Sequence, residues 1–341
     1  MTFDPNAAAQ PGSGVFGLPH SAEQAQVVLI PAPFEATTSY GGGTADGPAA
    51  IRAASAQVDL FDIETGKPYE AGIHMFPEHA ALRAWSDAGK RAALPVIEAG
   101  GAHGDPALLA ALAQVNAASE QVNAWVYAET QKWLRAGKRV GLIGGDHATP
   151  FGCIRAHAEA NPGMGVLHLD AHADLRVAYE GFTWSHASIM HNVMTRIPQV
   201  AKLVQVGIRD FCEEEFLQIE RSGGRITTFF DAQLAAERFE GVTWRQQLSR
   251  VVEALPGEVY LSFDIDGLDP VLCPHTGTPV PGGLSFHQAT AMVAAVVQSG
   301  RRIVGFDINE VAPGPDGDDW DANVAARLLY KLIGFMLKTA R

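Results

Sequence analysis

Four runs of this chain climb through apolar residues and stop in acid or histidine: GLIGGDH (141–147), VLHLDAHAD (166–174), YLSFDID (260–266) and VGFDINE (304–310). Stretches that are apolar at successive rather than alternate positions are strands buried on both faces. QVVLIPAP (26–33) and KLVQVGIRD (202–210) belong to the same set. Helix-period segments separate several of them, over 114–136, 243–255, 285–300 and 321–338. This alternation predicts an α/β fold, a three-layer αβα sandwich with a mainly parallel central sheet. The C-terminal ends of parallel strands share one edge, where open α/β sheets bind ligands. Solubility does not require acids at the ends of buried strands, so the four endings predict a site on that edge.

The chain shows no internal repeat and no long linker, so 26–341 is expected to form a single domain behind a flexible tail over 1–25, rich in Ala, Gly, Pro and Gln near its start. Hydrophobic residues at 47% and charged residues at 18% exclude a disordered chain. A formal charge of −13, from 25 basic and 38 acidic residues, argues against nucleic acid and anionic membrane surfaces as partners and favours cations. Cys153, Cys212 and Cys273 form no C-x-x-C pair and predict free thiols in a reducing compartment. With no basic, apolar leader and no run of about 18 apolar residues, the expectation is a soluble, cytoplasmic protein.

The endings carry the chemistry. Alternate residues of an extended segment face the same side, so Asp170, His172 and Asp174 of DAHAD are expected to face together, as are Asp264 and Asp266 of DID. His147 of GGDH adds a third strand. Four carboxylates and two imidazoles, with no thiolate, are too many ligands for one tetrahedral zinc. They suit two hard or borderline divalent ions such as Mn²⁺, whose charge the four aspartates balance. Each motif alone is weak: D-x-D or GGDH by itself is more often a turn than a ligand. Their joint occurrence at three strand ends is specific.

The chain resembles the ureohydrolases, the family of arginase, agmatinase, guanidinobutyrase, proclavaminate amidinohydrolase and formimidoylglutamase. The resemblance runs from about residue 31 to the C-terminus through GTADGPAAIRAAS (43–55), IGGDH (143–147), HLDAHAD (168–174), SFDIDGLDP (262–270), TGTPVPGGLS (276–285) and GFDINEVAP (305–313), in the family's order. It implies an arginase/deacetylase-like fold whose metal site holds two Mn²⁺, with Ni²⁺ as the alternative. Asp170 and Asp264 would bridge the ions, His147 and Asp174 would complete one shell, and His172 and Asp266 the other. The implied reaction is attack of hydroxide on a guanidinium carbon, releasing urea and an amine, with Asp174 passing a proton. The resemblance gives Glu310 the guanidinium and His186 a proton-transfer role beside the substrate. It also implies a homotrimer or homohexamer.

Substrate choice is expected to lie in the loop over 175–190 and in 62–106. The loop carries Arg176, Tyr179, Glu180, Phe182 and Trp184 in place of the Asn- and Ser-rich loop usual in arginase. Its aromatic and acidic character suits an alkylguanidine with a distal ammonium, agmatine first, giving putrescine. Arg176 points the other way, toward a guanidino acid such as 4-guanidinobutanoate or toward N-formimidoylglutamate. Thr276 and His275 are expected near the substrate, His275 standing where agmatinases usually have glycine. A metal-dependent amide hydrolase of the deacetylase type is the remaining alternative, disfavoured because such enzymes lack the full six-ligand set.

Overall fold

β-Branched and aliphatic residues build each strand, and their alternation sorts them between two helical layers. The computed structural model describes residues 3–10 and 12–339. Eight strands form the sheet: β1 (Val27–Ala32), β2 (Ile73–Met75), β3 (Arg139–Gly144), β4 (Gly165–Leu169), β5 (Lys202–Ile208), β6 (Ile226–Phe230), β7 (Glu258–Asp264) and β8 (Arg302–Asn309). Their order is β2-β1-β3-β8-β7-β4-β5-β6 and every pairing is parallel. In β1, Val27 and Leu29 enter one core while Val28 and Ile30 enter the other. The first core is closed by α1 (Gly47–Ala54), α7 (Asp231–Phe239), α8 (Trp244–Ala254), α9 (Phe286–Gln298) and α10 (Trp320–Lys338). The second is closed by α2 (Ala80–Glu98), α3 (Pro106–Arg135), α4 (Phe151–Ala160), α5 (Ile189–Arg196) and α6 (Glu213–Arg221). This is the three-layer sandwich expected from the strand pattern.

Helix starts follow their capping chemistry. Thr243 and Ser285 each accept a bond from the amide three residues on, and Gln246 and Gln288 return it, so α8 and α9 begin where the sequence placed them. By contrast α3 begins at Pro106, eight residues before the expected start, because Asp105 caps it through the amides of Ala107 (2.7 Å) and Leu108 (3.3 Å). The unassigned stretch 62–106 supplies β2 and α2.

Of the expected 1–25 tail, residues 1, 2 and 11 lie outside the described residues, as do 340 and 341 at the end of the domain. The tail expectation fails from Val15 onward. Val15, Phe16 and Leu18 are buried, Phe16 packs 4.9 Å from the Tyr330 ring, and its amide donates to Ser55 Oγ at 2.9 Å. Three apolar side chains there outweigh the flexible composition around them. All three cysteines are free, and no helix among the described residues is long and apolar enough to cross a membrane.

Strand β8 is the last in sequence yet lies between β3 and β7, and its fit is tight. A Cβ on Gly141 of β3 would meet the Phe306 ring at 2.4 Å, so the ring occupies the space that the glycine leaves. Phe306→Ala should therefore open a cavity in mid-sheet and cost about 3–5 kcal/mol, measured as a lower urea midpoint.

Candidate metal centre

The four central strands, β3, β8, β7 and β4, bring their C-terminal ends to one crevice. After β3 the chain turns through Gly145, where a Cβ would stand 2.1 Å from the Phe34 carbonyl oxygen. Only glycine fits there, and the turn delivers His147 into the crevice. Its Nδ1 lies 3.0 Å from Asp170 Oδ2, 3.3 Å from Asp174 Oδ2 and 3.2 Å from Asp264 Oδ2. Its Nε2 lies 2.9 Å from Ser262 Oγ, which donates to Asp307 Oδ1 at 2.9 Å. With the serine proton committed to Asp307, Nε2 carries the imidazole proton of the neutral ring. That leaves the Nδ1 lone pair facing three carboxylates, an arrangement that calls for a cation at their centre.

A second group adjoins the first. His172 Nδ1 is 3.0 Å from Asp266 Oδ2 and 3.5 Å from Asp170 Oδ1. Asp170 thus faces both groups, each of which could hold a metal ion. His168 approaches Asp170 Oδ2 at 2.8 Å, but its Nδ1 faces the Gln205 amide nitrogen at 3.0 Å. Gln205 donates there, so His168 donates from Nε2 to Asp170 and supports the ligand set without offering a lone pair. The donor set fits a pair of divalent ions: oxygen and imidazole donors, a shared carboxylate and no sulfur.

The electrostatics are those of a crowded anionic site. Burial and the Asp170 charge push Asp174 up to about 7. Burial, with Asp266 and Asp170 beside it, pushes Asp264 well above the carboxylate range. Asp170 moves the other way: burial opposes its charge, but His168, His147 and His172 outweigh it. Burial likewise opposes charging His147, yet its three carboxylates hold its pKa well above the usual value. In the absence of a metal, protons occupy this site.

The structure brings together all six expected residues, but of them only Asp264 lies on one of the eight strands, at the end of β7. β4 stops at Leu169, Asp174 has a left-handed φ of 54°, and Asp266 lies in a short 3₁₀ turn, Ile265–Gly267, whose amide bonds back to Asp264 Oδ1 at 2.9 Å. The period-two pattern picks out residues that the fold gathers at one edge, whereas tight turns perform the convergence.

Glu310 follows β8 with a φ of 62°. Its Oε1 accepts the His147 amide at 2.8 Å, while its buried Oε2 has no hydrogen-bond partner among the described residues. Burial and the Asp264 and Asp146 charges push its pKa well up. His186 Nδ1 lies 3.1 Å from Thr37 Oγ1, and burial, with the charges of His172 and His147, pushes its pKa down to about 4. Thr276 Oγ1 donates to the Glu310 carbonyl at 2.8 Å and thereby shapes the loop. Arg176 is engaged elsewhere, its Nε 3.7 Å from Glu215 Oε2 and its guanidinium 5.1 Å from the Tyr179 ring centre. His275 bonds to Asp321.

Sequence reasoning missed two supports. Glu35, buried, accepts the amides of Gly43 (2.7 Å) and Ala45 (3.3 Å) and pairs with Lys90, pinning the loop that carries Thr37. Asp146 accepts the Ala36 amide at 3.1 Å and fixes the same loop to the GGDH turn. The acid in PAPFEATTS has no periodic partner, so nothing local marked it.

The chain matches the arginase family over residues 25–334. It is 34% identical over 313 residues to an N(1)-aminopropylagmatine ureohydrolase of Thermus thermophilus, covering 92% of this chain and 90% of that protein. It is 32% identical over 311 residues to an agmatinase of Cronobacter sakazakii, covering 91% and 87%. The fold is shared with proclavaminate amidino hydrolase from Streptomyces clavuligerus, at a TM-score of 0.74 and 23% identity over 98% of this chain and 100% of that one.

Chelation is expected to lower the melting temperature, and Mn²⁺ at about 100 times its Kd should restore about 2.7 kcal/mol for a single linked site. Asp264→Ala removes a carboxylate facing His147 and should lose both the bound metal, by elemental analysis, and the Mn²⁺-dependent rise.

Proposed function

The chain belongs to the arginase family, and from that premise we propose that this ureohydrolase cleaves a cationic alkylguanidine, agmatine to putrescine and urea. The observation that carries the reading is Oε2 of Glu310, a buried carboxylate oxygen beside the ligand cluster with no hydrogen-bond partner among the described residues. A guanidinium offers paired N–H donors to such an oxygen and pays back the desolvation that raises the Glu310 pKa. Gly277 keeps the approach clear, since a Cβ there would stand 3.2 Å from Oε2.

The residues that would hold the ions are His147, Asp170, Asp174 and Asp264 for one, and His172, Asp266, Asp170 and Asp264 for the other. Two divalent ions of the Mn²⁺ kind supply Lewis acidity that makes water a nucleophile near neutral pH. Glu310 orients the guanidinium so that its central carbon faces the cluster. Asp174, turned in by its left-handed backbone, accepts the proton of the attacking water and passes it to the departing nitrogen, so that a guanidinium and water become urea and an ammonium. His186, its pKa held down by burial, is neutral at pH 7, and its Nδ1 pairs with the Thr37 hydroxyl.

An amine at the far end of the substrate is favoured over an acid. Arg176, the one cation that suggested a guanidino acid, is occupied by Glu215 and Tyr179. Glu180, on the same loop, has a buried Oε2 without a partner and a pKa raised by burial alone. The name of the Thermus relative extends the proposal to a longer substrate of the same class, N(1)-aminopropylagmatine.

The test is urea release by the Mn²⁺-loaded enzyme from agmatine, N(1)-aminopropylagmatine, arginine and 4-guanidinobutanoate, with formamide release from N-formimidoylglutamate alongside. The two amines should lead in kcat/KM; preference for an acid would overturn the substrate class, and no urea from any would overturn the reaction. Glu310→Gln should retain its metal and lose about 100-fold in kcat/KM.

A further inference from the structure

A glutamate does not settle in the left-handed region unless its surroundings hold it there. At Glu310 itself the amide donates to the Gly145 carbonyl at 2.8 Å and the carbonyl accepts from Thr276 Oγ1 at 2.8 Å. Beyond it the chain crosses a loop rich in glycine and proline, over 311–319, before α10 begins. His275 touches both ends of that crossing. Its ring lies against Gly314, where a Cβ would meet Cε1 at 2.5 Å and Nε2 at 2.9 Å. Its Nδ1 donates to Asp321 Oδ1 at 2.9 Å, and its amide donates to Asp321 Oδ2 at 3.0 Å.

Asp321 is fully buried in the first turn of α10, where the helix N-terminus favours a carboxylate. Its two oxygens therefore fix one residue by both side chain and backbone. The next residue is Thr276, bonded to Glu310, and the one after is Gly277, which faces Glu310 Oε2. One imidazole thus joins the segment that touches Glu310, the loop that leaves Glu310, and the helix on which that loop ends.

We propose that His275 and Asp321 form a clamp that holds Glu310 in its guanidinium-accepting position, so that His275 is a positioning residue and not a substrate contact. The proposal rests on the guanidinium role given to Glu310 above. It replaces the sequence expectation that places His275 at the substrate. Trp320 Nε1 donates to the Val271 carbonyl at 3.0 Å and ties α10 to the same loop independently, so the fold should survive removal of the ring.

Three metal-loaded proteins test the clamp: wild type, His275→Ala and His275→Asn, whose amide nitrogen can replace Nδ1 as donor to Asp321. His275→Ala should raise KM for the best substrate about tenfold with kcat within about twofold, and His275→Asn should return KM to within about threefold of wild type. Metal content should be equal in all three. An unchanged KM in His275→Ala, an asparagine variant as poor as the alanine one, or loss of metal would each overturn the clamp. Hydrogen exchange of the amides over 311–318 decides the matter without turnover: it should quicken in His275→Ala and be restored in His275→Asn, and no change overturns the clamp. If wild type hydrolyses no guanidino compound, the functional reading fails, while the exchange data still decide whether the clamp exists.

Discussion

Mutual repulsion among buried carboxylates is the constraint on which this structure turns. Two unit charges about 4 Å apart interact by about 4 kcal/mol at an effective dielectric constant of 20. Asp170, Asp174, Asp264 and Asp266 are all buried along one sheet edge, with Glu310 beside them. The strain appears in their protonation: Asp174 is pushed to about 7, and Asp264 and Glu310 move well up. Asp170 escapes because imidazoles surround it. Such a crevice holds its charge only with protons or cations in it.

Compensation of that repulsion is built from outside the ligand set. Ser262 and Asp307 fix the His147 tautomer, and Gln205 fixes that of His168. Glu35 and Asp146 secure the Thr37 loop from below. The insertion of β8 between β3 and β7 then places Glu310 between strands that end in ligands. A parallel sheet makes this possible, since its strands end on one edge whatever their order in the chain.

The layers and the six ligand-type residues were legible in sequence because each is a local signal: continuous apolar runs, a change of period, and acids at the run's end. Helix starts were legible where a capping box stood, at Thr243 and Ser285. They were missed at Asp105, although Asp-Pro is a fair cap. Residues Val15 to Leu18 read as tail because Gly, Pro and Ala around them hide three apolar side chains with no periodicity. Glu35 was invisible for a different reason. Its partners Lys90, Gly43 and Ala45 are recruited partly across the fold, and one buried acid leaves no pattern.

His275 and Arg176 show where reasoning from residue type stops. Both are cationic or potentially cationic groups in loops flanking the crevice, and composition alone makes each a substrate contact. In the fold Arg176 is met by Tyr179 of its own loop and by Glu215, and His275 by Asp321, the two acids coming from helices distant in sequence. The amino-acid sequence by itself determined the parallel α/β architecture and the inventory of carboxylates and imidazoles at its edge, because strand burial and strand endings are properties of short segments. Only the tertiary structure decided which lone pairs face one another, which backbone turns left-handed to aim Asp174 and Glu310, and which charges are already paired. Those outcomes depend on neighbours that the chain brings together only by folding.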